Sequence, residues 1–142
     1  AAPYPSFINF DAPDRGSCSV SRSRSNTPLQ AWTFLTDPAY AEIALAFADR
    51  ILSECEDESD EARIRFAFKL ALSRSPNDAE IEVVQQLLRD ERQTLAADKS
   101  LAVQRTKRAY AGLTIKAKDI PELAAWFAVT NALLNLDETM TQ

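Results

Sequence analysis

The sequence contains no histidine, and this absence excludes the chemistry that depends on an imidazole. Ser-His-Asp triads and Cys-His dyads both need His as the general base. Metal sites built on His are excluded on the same ground, and so is the CxxCH segment that attaches haem covalently. Because no nucleophile–base pair is recognisable either, we expect no cofactor in this chain and no catalytic turnover from it alone.

Glycine and cysteine are scarce, with two residues of each. Tight two-residue hairpin turns depend on Gly, so a hairpin-rich β architecture is disfavoured. Two cysteines, Cys18 and Cys55, are too few for a cysteine-rich zinc site. Arg15 and Arg22 flank Cys18 and would favour a reactive thiolate there. Burial as a small side chain and a disulfide with Cys55 are the alternatives that the sequence leaves open.

Long apolar runs and excess positive charge are also missing. No apolar run approaches the roughly 18 residues that a membrane-spanning helix needs. The chain has 16 basic and 21 acidic residues, a net charge of −5, which disfavours a broad nucleic-acid interface. The Arg-Ser tract at residues 21–25 is too short to change this expectation. We therefore expect neither a membrane span nor a nucleic-acid partner.

What the sequence does contain predicts a single all-α domain. Its 142 residues, 46% of them hydrophobic, are enough for one packed core. Residues 1–25 are predicted to form an extended arm, because Pro3, Pro5 and Pro13 disfavour helix. The arm carries four apolar residues expected to anchor it to the body: Tyr4, Phe7, Ile8 and Phe10. Residues 26–142 are predicted to form a bundle-like body of four or five helices.

Capping residues and apolar spacing place these helices. Starts are predicted at Asn26-Thr27-Pro28, Asp37-Pro38, Ser59 or Asp60, Asn77 and Asp119, with ends near Leu35, Ser53 and Ser73 for the first three. Whether residues 98–111 continue the fourth helix is left open. Residues 123–136 are apolar on most sides, which predicts the central and most buried helix. Trp32 and Trp126 are both interpreted as packing residues.

Three segments resemble one known family: FDAPDRGSCSV…SRSNTPLQAWTFLTDP, IRFAFKLALSRSPNDAE and AWFAVTNALLNLDE. The chain is similar to the C-terminal part of the planctomycete-type domain of unknown function. The resemblance implies the last unit of a large secreted or periplasmic protein, often one with a cytochrome c-like haem domain elsewhere. It brings no catalytic residues, and any haem would belong to another part of the parent. The first residues, Ala1-Ala2-Pro3 without Met, indicate a processed chain or a piece of a longer protein, and the resemblance implies that the piece is C-terminal.

The candidate site lies in the polar stretch before the first helix. Its residues are Asp11, Asp14, Arg15, Arg22, Arg24, Asn26 and Thr27. The favoured interpretation is structural, with the arginines clamping the arm to the body through carboxylates and backbone carbonyls. The alternative is an anion site, because the helix that starts at Asn26-Thr27 presents free N–H groups beside Arg22 and Arg24.

Two functions follow from these features. The first is a non-catalytic helical module for interaction or assembly, with the remainder of the parent chain or another protein as its partner. The second is one part of a polysaccharide-acting enzyme whose active site needs the preceding portion of the parent. An exposed Trp would suit the stacking of a sugar ring.

Overall fold

The computed structural model describes residues 27–107, 109 and 113–140 of the chain. The arm predicted at residues 1–25 lies outside these residues. The described part contains seven α-helices: α1 (Pro28–Thr36), α2 (Pro38–Glu54), α3 (Asp60–Leu72), α4 (Asp78–Ala97), α5 (Lys99–Lys107), α6 (Ile120–Leu134) and α7 (Asp137–Met140). The all-α prediction is confirmed, and the predicted ends at Leu35, Ser53 and Ser73 lie one residue from the observed ones.

The described residues contain more helices than the four or five predicted, because the sequence pattern does not mark two short helices as separate elements. The first is α5, which is divided from α4 at Asp98, where the backbone becomes extended. The Asp98 carboxylate accepts hydrogen bonds from the amide and the hydroxyl of Ser100, at 2.9 and 2.7 Å, so it starts a new helix. The second is α7, a single turn that follows α6.

Side chains cap the helix starts as the sequence predicts. The Asp37 carboxylate accepts from the Ala39 amide at 2.9 Å, and Pro38 follows it in the first turn of α2. Asn77 and Glu80 form a reciprocal capping box, in which each side chain accepts from the other residue's amide. These local bonds fix where the helices begin, whichever way they pack.

Helix α6 is the centre of the domain, as its apolar sequence predicts. It contacts all six of the other helices described. Seven of its residues are buried: Leu123, Ala124, Ala125, Trp126, Val129, Thr130 and Leu133. Its packing on α2 uses small residues, and the Thr130 hydroxyl donates to the Ala44 carbonyl of α2 at 2.8 Å. Because Ala44 is fully buried and its carbonyl accepts this bond, the two helices approach closely at Ala44.

The segment between α5 and α6 is held by one buried carboxylate. Asp49 lies on the core side of α2 and is 7% exposed. Its Oδ1 accepts from the backbone amides of Lys116 and Ala117, at 2.9 and 2.7 Å. A buried carboxylate needs such donors, and residues 113–118, which have no helix of their own, need acceptors. Asp49 therefore fixes the approach of the chain to α6.

The central position of α6 predicts that shortening Leu133 destabilises the domain. Leu133 is 3% exposed, so Leu133→Ala should lower the free energy of unfolding by about 2–5 kcal/mol. Leu136→Ala is the matched control, because Leu136 is 38% exposed and should lose far less. Denaturant titration measures both. Equal losses in the two variants would show that α6 is peripheral.

Candidate interaction surfaces

Most residues of the predicted site lie outside the part of the chain that the structure describes. These are Asp11, Asp14, Arg15, Arg22, Arg24 and Asn26, together with Cys18. The choice between an arm clamp and an anion site therefore stays a prediction. So does the pairing of Cys18 with Cys55. Among the described residues Cys55 has no disulfide partner; it is half-buried, and its Sγ lies 3.2 Å from the Asp57 carbonyl oxygen.

Thr27 is the one predicted site residue that the structure describes. It is the N-cap of α1, and its hydroxyl accepts from the Gln30 amide at 3.3 Å. The Gln30 side chain returns a bond by accepting from the Thr27 amide at 2.9 Å. This capping box occupies two of the groups that an anion at this helix start would use.

Helix α1 has an inverted distribution of polar and apolar residues. Among its described side chains, Gln30 and Thr33 are the buried ones, at 2% and 8% exposed. Leu29, Trp32 and Leu35, at 56–64% exposure, form one stripe on the outside, which we call the α1 face. Trp32 does not pack against the described helices as interpreted from the sequence, because 64% of its surface is exposed. Helical spacing shows that the three share a stripe, but it does not show which stripe faces the core.

Trp126, the other tryptophan, is a packing residue as predicted. It is fully buried in α6, and its indole N–H donates to Glu122 Oε1 at 3.0 Å. The bond satisfies the one polar atom of the side chain. The two tryptophans thus differ completely in exposure.

A second apolar surface lies between α4 and α6. It is a groove of about 350 Å³, which we call the α4–α6 groove. Its apolar lining comes from Phe68, Val83, Val84, Leu87, Val129, Ala132, Leu133 and Leu136, with Ala79 at one end. Val83 is 68% exposed and Leu136 is 38% exposed, whereas Phe68 and Leu133 belong to the core. The groove is therefore an open extension of the hydrophobic core.

The polar residues of this groove, Asn77 and Glu80, already have partners. Their side chains cap α4, and both Glu80 oxygens also accept from Arg74, at 2.7 and 2.9 Å. Arg74 binds Glu138 of α7 with two further bonds and lies over the Phe68 ring at 5.4 Å. Arg74 therefore joins the end of α3, the start of α4 and α7 around one end of the groove.

The charges of this cluster shift one another's pKa values. Hydrogen bonds from Arg74, then from the Asn77 amide, lower the pKa of Glu80 to about 2. The hydrogen bond from Arg74 also lowers the pKa of Glu138. In return, bonds to both carboxylates raise the pKa of Arg74. All three groups are therefore charged at neutral pH.

Arg92 forms a second cluster of the same kind. It donates to both Asp60 oxygens, at 2.6 and 2.7 Å, and to both oxygens of Glu122. The cluster joins α3, α4 and α6, and the hydrogen bond from Arg92 lowers the pKa of Asp60. In the sequence, Arg92 belongs to the charged face of α4. Its partners, Asp60 and Glu122, lie about thirty residues away on each side, so the sequence does not indicate these ion pairs and only the packing brings the residues together. Both clusters tie helices together at the surface.

A cavity of about 720 Å³, larger than the α4–α6 groove, lies beside α1. Residues of α1, α2, α5 and α6 line it, and Leu35 of the α1 face is one of them. Its lining mixes apolar side chains such as Phe127 with polar ones such as Gln104 and Asn131. Arg105, also in the lining, pairs with Glu91 of α4. The α1 face thus continues into a partly apolar cavity.

The described residues were also searched for a metal site and for a membrane-spanning helix. No three Cys, Asp or Glu residues among them come together as a possible metal site. Within the same ranges, no helix has both the length and the apolar character needed to cross a bilayer.

Comparison with protein families identifies the class to which this chain belongs. The model of the family PSD1, described as proteins of unknown function (DUF1553), matches residues 1–88. The chain is therefore a member of the PSD1 family. The match includes the first two of the three segments on which the resemblance rests and ends before the third. Comparisons with curated proteins and with solved structures gave no match.

The Arg74 cluster predicts a pH dependence of stability. A carboxylate whose pKa is lowered on folding stabilises the fold above its unfolded pKa, and this contribution is lost as the pH falls through the folded pKa. For Glu80 the window runs from 4.5 down to about 2. Glu80→Gln keeps the capping geometry and should remove this part of the acid dependence, although partial exposure keeps the effect small.

Urea denaturation between pH 2 and pH 6 measures this dependence. Glu82→Gln, at an exposed position on the same helix, is the control and should follow the wild type. If Glu80→Gln and the wild type lose stability in parallel below pH 4.5, the ion pair has no role in acid stability.

Proposed function

We propose that this chain is a non-catalytic helical interaction module that binds an apolar segment of the remainder of its parent protein in the α4–α6 groove. The observation that carries the proposal is the continuity of the groove with the core. Val83 is 68% exposed at its edge, and core residues Phe68 and Leu133 form part of its lining. An open apolar surface of this kind marks an interaction site more often than an isolated exposed side chain does.

The lining favours a polypeptide over a small polar ligand. Small-molecule sites usually combine an apolar cleft with a few polar groups that fix the orientation of the ligand. Here Asn77 and Glu80 are the polar lining residues, and both are engaged by capping bonds and by Arg74. Binding therefore depends on apolar contact, as when an amphipathic helix lies in a groove.

The surrounding charges indicate the flanks of the bound segment. Glu82, which precedes Val83 in the sequence, is exposed on α4, and the chain as a whole has a net charge of −5. Glu80 is already paired with Arg74. The groove therefore suits an apolar segment followed or preceded by Lys or Arg.

We further propose that the parent is a secreted or periplasmic multidomain protein of planctomycete type, with this module at its C-terminus. The proposal is supported by the resemblance of the three sequence segments. It makes the remainder of the same chain the first partner to test, ahead of a separate protein.

The groove predicts a site-specific contact at Val83. A photoreactive amino acid replacing Val83 in the parent protein should cross-link to a segment elsewhere in that protein. Val103 on α5 is the matched control, because it is an exposed valine, 55% exposed, that does not line the groove. Mass spectrometry of the cross-linked peptides identifies the contact.

Substitution gives the corresponding energetic test. Val83→Asp should weaken the contact by about tenfold or more, since losing one buried valine contact costs about 1.5 kcal/mol or more. Val103→Asp should leave it unchanged. Equal cross-linking at the two positions, or equal affinity of the two Asp variants, would contradict a role for the groove.

The second candidate is a part of a polysaccharide-acting enzyme, and the exposure of Trp32 is the observation that favours it. An indole that is 64% exposed can stack on a sugar ring. If Trp32 serves this purpose, soluble oligosaccharides should change its fluorescence saturably, and Trp32→Ala should abolish binding. An unchanged spectrum at millimolar oligosaccharide would exclude Trp32 from sugar binding.

A further inference from the structure

We propose that the N-terminal segment of this chain covers the α1 face, with Tyr4, Phe7, Ile8 and Phe10 packing against Leu29, Trp32 and Leu35. The inference concerns a different surface from the α4–α6 groove and does not rest on the proposed function. Its occupant is residues 1–25, which precede α1 directly and lie outside the described part of the chain.

Helix α1 gains from a second contact, because it is short and its large described apolar side chains lie on the outside. It has nine residues, fewer than the 12–15 or so at which an isolated helix becomes even marginally stable. It contacts α2 and α6, but its buried described side chains, Gln30 and Thr33, are polar. Covering Leu29, Trp32 and Leu35 would add the apolar burial that this side lacks.

The segment is long enough to reach the face. Residues 11–26 separate the apolar group from Thr27 and can span about 50 Å when extended. Helix α1, with nine residues, is about 14 Å long. A chain of this length can therefore turn back along the whole of α1 with many residues to spare, and loop closure adds only a slowly growing entropic cost.

The chemistry of the segment matches the surface. Four of its seven residues from Tyr4 to Phe10 are apolar and three of these are aromatic. Pro3 and Pro5 favour an extended backbone around Tyr4, the conformation in which Pro-rich segments bind aromatic surfaces such as that of Trp32. Tethering gives the segment a millimolar effective concentration, which a second copy or a separate protein must exceed.

The two tryptophans allow a direct test in the full chain. Trp126 is fully buried, so acrylamide quenching of the total tryptophan fluorescence reports on Trp32, and Trp32→Phe isolates the signal of Trp126. We expect Trp32 to be shielded in the wild type. Phe7→Ser combined with Phe10→Ser should raise its quenching constant several-fold, whereas Ser6→Ala combined with Asn9→Ala should leave it unchanged.

Two other results of the quenching experiment overturn the proposal. Trp32 quenched equally in the wild type and in the Ser variant shows that the segment does not cover it. If the shielding of Trp32 disappears when the protein is diluted, a second copy of the chain covers the α1 face instead of the N-terminal segment. If acrylamide also quenches Trp126 in the Ser variant, that variant is unfolded and its result cannot be used. The test is then a photoreactive residue that replaces Trp32 in the otherwise unchanged chain. Cross-links to residues 1–10 support the proposal, and cross-links elsewhere refute it.

Discussion

The burial of α6, which every other described helix contacts, is the constraint on which the rest of this structure depends. A helix whose residues are apolar around most of its circumference cannot lie at a surface, so other elements must cover it. Each of the six other described helices contacts it. The bond from Thr130 to the Ala44 carbonyl shows how closely α2 approaches, since a buried hydroxyl needs such a partner. The other described helices are therefore arranged around α6.

Charged side chains then fix the helices relative to one another where they meet at the surface. Arg92 joins α3, α4 and α6, and Arg74 joins the ends of α3 and α4 to α7. Asp49 does the same from the interior by holding two backbone amides of the segment before α6. Such bidentate bonds give geometric specificity as well as energy. The α4–α6 groove is therefore bounded by elements that are tied at both ends.

The two apolar surfaces differ in what supports them. The α4–α6 groove lies on long helices and shares residues with the core, so its shape is preformed, which favours binding of a partner. The α1 face lies on a nine-residue helix next to an N-terminal segment that has apolar residues of its own. The two surfaces therefore suit different occupants, which is why the two proposals assign the α1 face to the N-terminal segment and the groove to a partner.

The sequence by itself determined the helical class, the starts of five of the seven described helices and the central helix. Capping residues such as Asp37 and Asn77 act within three residues, and the apolar character of residues 123–136 on most sides is visible without knowledge of neighbours. Only the tertiary structure decided which stripe of α1 faces the body. It also decided the partners of Arg92 and the role of Asp49, because these depend on residues 30 to 68 positions away in the chain. Helical periodicity shows which side chains share a face, but the neighbouring elements determine whether that face is buried.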